Sequence, residues 1–560
     1  MKAYPVLVFL VSAFSGAYAS ARFVVGAPSS MIARLGIENT AFSKTYTFQT
    51  PGAELIRVDV EDYSFEKGWL SMVGRAQESR NSDFILKGDN TGIYGWVVLK
   101  NRGLAFEYTT DANGMVVVEQ VPVEKIFPIC DFENQDEEAF AGMPSEVQRQ
   151  GPEPHIGPYP AGLAVNKFQS KPGAPKVLYW DISGAPDVWT PEQMWEAWQT
   201  YSAIVSMFDV NVTTDPDVYN AAPVANRGGL KQNSASGTSS CGVSAFGTSR
   251  FCNIYKKSSP AYQGGTLGHE GGHLIGLSHD GTSSSEYASG LRPFQWVPLM
   301  GSHASGISYA QCALQYSKGE YTDANQKQDD FNIITVTRHH MGFRAKTHVG
   351  QKALQLTGTT VAPLNNRGQI VQNTDTDVWS FGVTGGAGRA KLKVARTERP
   401  YGSMLDIDAS ILDASGKSLA QSNKAVNREA EFDLPLPAGN YTLTVKGGAE
   451  GTLPNGFSNY SSLGFYAIEG EITGGVVSVA GRDLRNAITV SPIAWGGKLN
   501  LDIPLSAKVE AITLYAGNGK IAYAAGKRVS AIDMSGLTAG NYLLRIAVDG
   551  SSVTRSVTKR

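Results

Sequence analysis

Short runs in which apolar and polar residues alternate, separated by turn-forming residues, dominate the first 130 residues. Gly95-Trp96-Val97-Val98-Leu99 and Met115-Val116-Val117-Val118 are such runs, with turn signals at Asp89-Asn90 and Asn113-Gly114. They predict a β-rich unit over 20–130. From Asp131 to Lys176 the periodicity vanishes. The stretch is first acidic (Asp131, Glu133, Asp136, Glu137, Glu138) and then rich in Pro and Gly, which predicts a linker. Between 177 and 347 the pattern mixes periods. Val177-Leu178-Tyr179-Trp180 and Val210 to Thr214 read as strands. Thr190-Pro191-Glu192-Gln193 reads as a helix start, with Thr190 as N-cap, Pro191 at N1 and Gln193 at N3. Met194, Trp195, Trp198, Ile204, Val205 and Phe208 follow at roughly helical spacing, and a last helix is predicted over Asp323 to His340. Beyond 350 the chain returns to short strands and turns, predicting two β-sandwich modules over 351–474 and 486–560.

Composition narrows the class. A chain of 560 residues exceeds one core and predicts about three or four domains. Hydrophobic content of 42%, charge of 18% and a net charge of −2 describe a folded protein and argue against a nucleic-acid partner. Lys2, the apolar run Pro5 to Phe14 and Ala17-Tyr18-Ala19 read as a signal peptide over 1–19. No later stretch reaches the ~20 apolar residues that cross a bilayer. An exported chain with four cysteines predicts disulfides, and Cys241 with Cys252 is the local pair.

The chemistry concentrates at His269-Glu270-Gly271-Gly272-His273-Leu274-Ile275-Gly276-Leu277-Ser278-His279-Asp280. Histidines four apart on a helix share a face and a metal ion. Glu270 stands beside them as a general base for a water. Gly276 tolerates positive φ, so it ends the helix and returns the chain to bring in His279. Three histidine ligands leave a fourth position open, the layout of a catalytic zinc site. Only eight histidines occur in the whole chain, and three are here.

This pattern resembles the extended zinc signature of the metzincins, in particular the secreted, reprolysin-like zinc endopeptidases of bacteria. The likeness also rests on Phe208 to Thr214, Pro298-Leu299-Met300-Gly301, Gln315 to Tyr321 and Asp329-Asp330. It implies a pre-pro-protein: a β-rich pro-domain over 20–130, a linker cut on activation (131–176) and an α/β (α+β) metzincin catalytic domain over 177–347. It further implies zinc on His269, His273 and His279, Glu270 as catalytic base, Met300 in a turn beneath the metal, and Asp280 as support. Tyr309 is a candidate oxyanion donor by the same analogy. Cys130 is open to two readings, a zymogen-switch thiolate on the zinc or a disulfide to Cys312.

The module at 351–474 resembles the pre-peptidase C-terminal β-sandwich, through Asp375 to Trp379, Asp406-Ile407-Asp408, Leu436 to Tyr441 and Tyr460 to Gly464. Asp375, Asp377, Asp406 and Asp408 are candidate calcium ligands. The module at 486–560 is similar to the sorting domain of type IX secretion, through Ile512 to Tyr515, Gly517 to Lys520, Leu537 to Tyr542 and Lys559-Arg560. That implies secretion machinery as a partner and an extracellular or surface location in a Gram-negative bacterium. The expected activity is hydrolysis of protein or peptide substrates. The competing expectations are a surface-binding protein acting through its β-modules and a zinc hydrolase with a non-peptide substrate.

Overall fold

The computed structural model describes residues 22–35, 45–51, 54–79, 81–128, 130, 159–302, 312–397, 404–424, 428–474, 476–477, 488–491, 498–503, 509–548 and 551–559. The predicted signal peptide, most of the predicted linker and Tyr309 lie outside these residues. The chain divides into two compact units. One takes the described residues of Met1–Ala345, Glu398–Met404 and Ala449–Gly464; the other takes those of Lys346–Thr397, Leu405–Gly448 and Phe465–Arg560.

The first unit begins with an antiparallel sheet of eight strands. They are β1 (Arg22–Gly26), β2 (Thr45–Gln49), β3 (Leu55–Glu66), β4 (Trp69–Ala76), β5 (Ser82–Gly88), β6 (Ile93–Leu99), β7 (Leu104–Thr110) and β8 (Val116–Val121). Consecutive strands pair from β2 to β8, and β1 adds to β8. Alternate residues such as Phe48, Ile56, Val58, Phe84, Val97, Phe106 and Val118 fill one apolar core. In β6 all seven residues are buried, so its second face, with Tyr94 and Trp96, is covered as well. What covers it is the segment 242–246, which accepts a hydrogen bond from the Trp96 indole at the Val243 carbonyl, 3.0 Å away.

Four parallel strands follow, in the order β10-β9-β11-β12: β9 (Lys176–Asp181), β10 (Val210–Thr213), β11 (Arg227–Gln232) and β12 (Phe251–Ile254). Two long helices, α1 (Pro191–Ile204) and α2 (Pro260–Leu274), accompany them. The capping box read from the sequence is present. Gln193 N–H donates to Thr190 Oγ1 at 3.3 Å, and Thr190 N–H donates to Gln193 Oε1 at 3.0 Å. Helix α2 is buried from Ala261 to Leu274 on every side. Its glycines admit close neighbours: a Cβ on Gly264 would stand 2.4 Å from Thr200 Cβ and 2.8 Å from the Ala197 carbonyl oxygen of α1.

The expected α/β (α+β) metzincin catalytic domain is corrected by this architecture. The described residues are mostly β-sheet, with 44% of them in strands and 15% in helices, and those of 177–347 form no clear α/β domain. The sequence pattern over-weighted helix in the second half of that region. Instead of a helix over 323–340 there is one turn at Asp330–Asn332 and a π-type turn at Ile333–Thr337. Between His279 and Asp330 the regular strands among the described residues have three residues each, Trp296–Pro298 and Ala313–Gln315. That stretch is held by specific hydrogen bonds instead of ladders. Part of its support comes from far along the chain: Tyr316 N–H donates to Ser461 Oγ at 3.1 Å, and Phe331 N–H to Tyr460 Oη at 2.8 Å.

The second unit is built of sheets. One six-stranded sheet has Thr376–Val383 beside Gly439–Gly447, and another has Gly388–Arg396 beside Gly464–Thr473. After Ile488, a three-stranded and a four-stranded sheet share a separate core that includes Leu499, Ile512, Leu544, Ile546 and Val553. Among the described residues no helix is long and apolar enough to cross a membrane.

The contact between α1 and α2 makes a direct prediction. Gly264→Ala forces backbone apart, because the Cβ meets a carbonyl oxygen and a β-carbon with little freedom to yield. Overpacking of this kind costs about 1–3 kcal/mol. The expected result is a lower urea midpoint with an unchanged m-value; an unchanged midpoint would show that the helices do not approach this closely.

Candidate metal centre

Helix α2 carries the first two histidines. Ser259 caps it, its side chain accepting from Tyr262 N–H at 3.3 Å, and Pro260 follows at N1. At the far end Gly276 takes φ +102°, and Leu277 N–H donates back to the Gly272 carbonyl at 2.9 Å. That reversal, which an L side chain resists, brings His279 towards the helix. The last helical carbonyls are satisfied from outside the helix. Ser244 N–H donates to His273 O at 2.7 Å, and Phe246 N–H to Leu274 O at 2.9 Å.

The three imidazoles are aimed through their Nδ1 atoms. His269 Nδ1 lies 3.0 Å from the Leu299 carbonyl and His273 Nδ1 2.8 Å from the Leu277 carbonyl. A carbonyl oxygen only accepts, so Nδ1 carries the proton in both and Nε2 keeps its lone pair. His279 Nδ1 donates to Glu286 Oε1 at 2.7 Å. This hydrogen bond holds the Glu286 carboxyl below its ordinary pKa. Burial, with the nearby His279 and His269 rings, drives His273 well below the usual imidazole range, so it stays neutral.

Cys130, His269, His273 and His279 offer one ligand atom each, and these four atoms all lie within 4.8 Å of one another. His273 Nε2 and His279 Nε2 stand 3.0 Å apart, and Cys130 Sγ is 3.8 Å from each. Tetrahedral coordination at about 2.0–2.3 Å separates ligand atoms by roughly 3.3–3.8 Å. The two Cys130 separations lie at the top of that range and the His273–His279 separation just below it, so the donors are close enough to share a metal ion. Two Nε2 lone pairs facing each other repel, and a cation between them removes that repulsion. This group can hold a metal ion.

Glu270 follows His269 on the helix and is fully buried. The Met300 thioether packs under α2, where a Cβ on Gly272 would stand 2.3 Å from Sδ. Asp280 does not join the metal group: its N–H donates to Met300 O at 2.8 Å, and its Oδ1 accepts from Gln326 Nε2 at 2.8 Å. Burial raises its carboxyl to about 7, against hydrogen bonds from Ser317, Gln326 and Tyr321. Cys241 and Cys252 form the expected disulfide. Cys130 and Cys312 are not bonded to each other, and both are buried thiols.

Three of the calcium candidates, Asp375, Asp377 and Asp408, face lysines. Lys346 Nζ sits 3.3 Å from Asp375 Oδ1 and 2.9 Å from Asp377 Oδ1, so an ammonium neutralises that pair. Asp408 faces Lys446 at 3.2 Å and accepts from Gln421 at 2.9 Å. Among the described residues, the Cys/His group is where three or more such side chains converge on a metal-sized space.

Sequence reasoning missed two residues here, Glu286 and Tyr287. Both lie in the Ser-rich turn after His279, where no periodicity marks them. The Tyr287 ring packs 4.4 Å from the His279 ring, centroid to centroid. A carboxylate on the outer nitrogen of a ligating histidine fixes its tautomer and raises its basicity. If the group holds a metal ion, Glu286→Ala should weaken its binding about 10–100-fold, measured with added zinc by competition with a chromophoric chelator. Unchanged affinity would mean that Glu286 does not orient His279.

No family model matches the chain, and no curated protein matches it. Among solved structures it is similar to the pre-peptidase C-terminal domain of collagenase from Bacillus anthracis, at 18% identity, covering 23% of this chain and 98% of that one with a TM-score of 0.16. A beta-glucuronidase from an uncultured Clostridium sp. matches at 11% identity, with 33% of this chain, 34% of that one and a TM-score of 0.15. The BSP domain of a biofilm-associated protein matches at 13% identity, with 33% of this chain, 29% of that one and a TM-score of 0.12. The match thus spans about a third of the length of the latter two. At these TM-scores none of the likenesses bears on the metal group.

Proposed function

We propose that this protein is a zinc-dependent endopeptidase made as a latent precursor, with Cys130 as its inhibitory ligand. One observation carries the reading. The Cys130 thiol, which ends the N-terminal sheet region, reaches the same small space as His269, His273 and His279, beside the buried Glu270. Three histidines with a carboxylate next to the first are the donor set of a hydrolytic zinc site. A soft thiolate in the remaining position excludes water and substrate. The disulfide Cys241–Cys252 and the signal-like Lys2 to Ala19 favour export to an oxidising compartment.

Zinc bound there supplies Lewis acidity towards a water and the scissile carbonyl. The chain's own residues do the rest. Glu270 accepts the proton of the attacking water and returns it to the leaving amine, so no free ion forms at either stage. The acceptors on His269, His273 and His279 keep the three Nε2 atoms aligned throughout. Cutting the chain between Cys130 and residue 159 is a necessary step before the thiol can leave.

Two substitutions in the full chain test this. Glu270→Ala should keep its zinc and lose casein hydrolysis by about 10²–10⁴-fold after activation, the usual worth of a general base. Cys130→Ala should hydrolyse casein without any cut, while the parent chain does not. Zinc in all three with hydrolysis by none would reject peptidase activity. Absence of zinc from all three would reject the metal assignment.

A further inference from the structure

The segment 242–246 has two faces. Its N–H groups at Ser244 and Phe246 cap α2 at the His273 and Leu274 carbonyls. The carbonyls of Val243, Ser244 and Phe246 turn to the N-terminal sheet. Trp96 Nε1 on β6 donates to Val243 O at 3.0 Å, and Lys87 Nζ on β5 donates to both Ser244 O and Phe246 O. Lys87 and Trp96 are each 1% exposed. Val243 N–H completes the join by donating to Ile126 O at 3.0 Å.

Lys87 is the informative residue. A buried ammonium is costly unless it is hydrogen-bonded, and among the described residues its acceptors are two backbone carbonyls outside its own sheet. Such a lysine adds nothing to the core of the eight-stranded sheet, which lies on the other face. Its place is explained by what it grips. The surroundings have the anatomy of a binding interface, with an aromatic and a cationic anchor buried at the centre. At the edge lie ion pairs, Arg250 with Asp83 at 3.2 Å and Arg338 with Glu107 at 3.7 Å.

We propose that the N-terminal sheet, residues 22–128, is a docking domain that grips segment 243–246 through Lys87 and Trp96 and stays bound after the chain between them is cut. The grip itself involves no metal. Its consequence for activity rests on the proposed peptidase reading: a single cut does not free the metal group, because the seated sheet keeps Cys130 beside the imidazoles. Withdrawal of the thiol then requires both the cut and the release of this clamp.

The test uses the full chain carrying Cys130→Ala, which removes the thiol contact, with a site for a specific protease inserted after Gln150. After complete cleavage the two fragments should co-elute in size-exclusion chromatography. Adding Lys87→Met should weaken their association roughly tenfold or more, the effect of losing two hydrogen bonds to buried carbonyls. Circular dichroism of the uncut variant checks its folding. If Lys87→Met does not fold, Trp96→Phe, which removes the donor to Val243, takes its place in the same measurement. Separation of the parent fragments at micromolar concentration overturns the proposal. So does an unchanged dissociation constant in the variant that folds. Because elution depends on neither zinc nor catalysis, its failure leaves the peptidase reading standing, and loss of zinc leaves this one standing.

Discussion

The orientation of three imidazole rings governs the centre of this protein. Each ring has one nitrogen tied to an acceptor, Leu299 O, Leu277 O or the Glu286 carboxylate, and the other nitrogen is thereby turned to a common point. Free rotation of any one ring would scatter the ligand set. Each acceptor in turn depends on a local device. Leu277 is placed by the positive φ of Gly276, and Leu299 by the N–H bond it makes to Gln315 O at 2.6 Å. Because α2 is buried all round, its histidines sit where water does not compete, and hydrogen bonds there are worth more than at the surface.

The N-terminal sheet reaches this centre at two levels. Cys130 arrives at the imidazoles directly, while Lys87 and Trp96 hold the segment whose N–H groups close the end of the metal helix. The same short stretch, 243–246, thus receives donors from one side and gives them to the other. Polar networks of this kind are stable only when every member is satisfied. This explains why β6 is buried on both faces although it belongs to an antiparallel sheet, where one solvated face is common.

Legibility in the sequence followed range. The three histidines stand within eleven residues of one another, so helical spacing and one glycine sufficed to predict that they converge, whereas Cys130 joins them from far along the chain. The Thr190 capping box and the Cys241–Cys252 bond are equally local. Glu286 was illegible because its partner His279 is reached through an irregular Ser-rich turn. Lys87 was illegible because a lysine in a strand ordinarily faces solvent, and only long-range packing shows otherwise. The fold class was misjudged for a similar reason. Apolar spacing over 323–340 resembled a helix, yet the Tyr460 hydroxyl, more than a hundred residues away, accepts from Phe331 N–H and donates to Asp329 Oδ1 where the chain runs in turns. Two of the calcium candidates, Asp375 and Asp377, face Lys346, a pairing that local sequence does not reveal.

The most direct test of the account is X-ray absorption at the zinc edge on the full-length, uncut protein. Three histidines and one thiolate predict a shell of three nitrogens at about 2.0–2.1 Å and one sulfur at about 2.3 Å, with the sulfur lost in Cys130→Ala. A shell of light atoms alone in the parent protein, or no bound zinc, would contradict it.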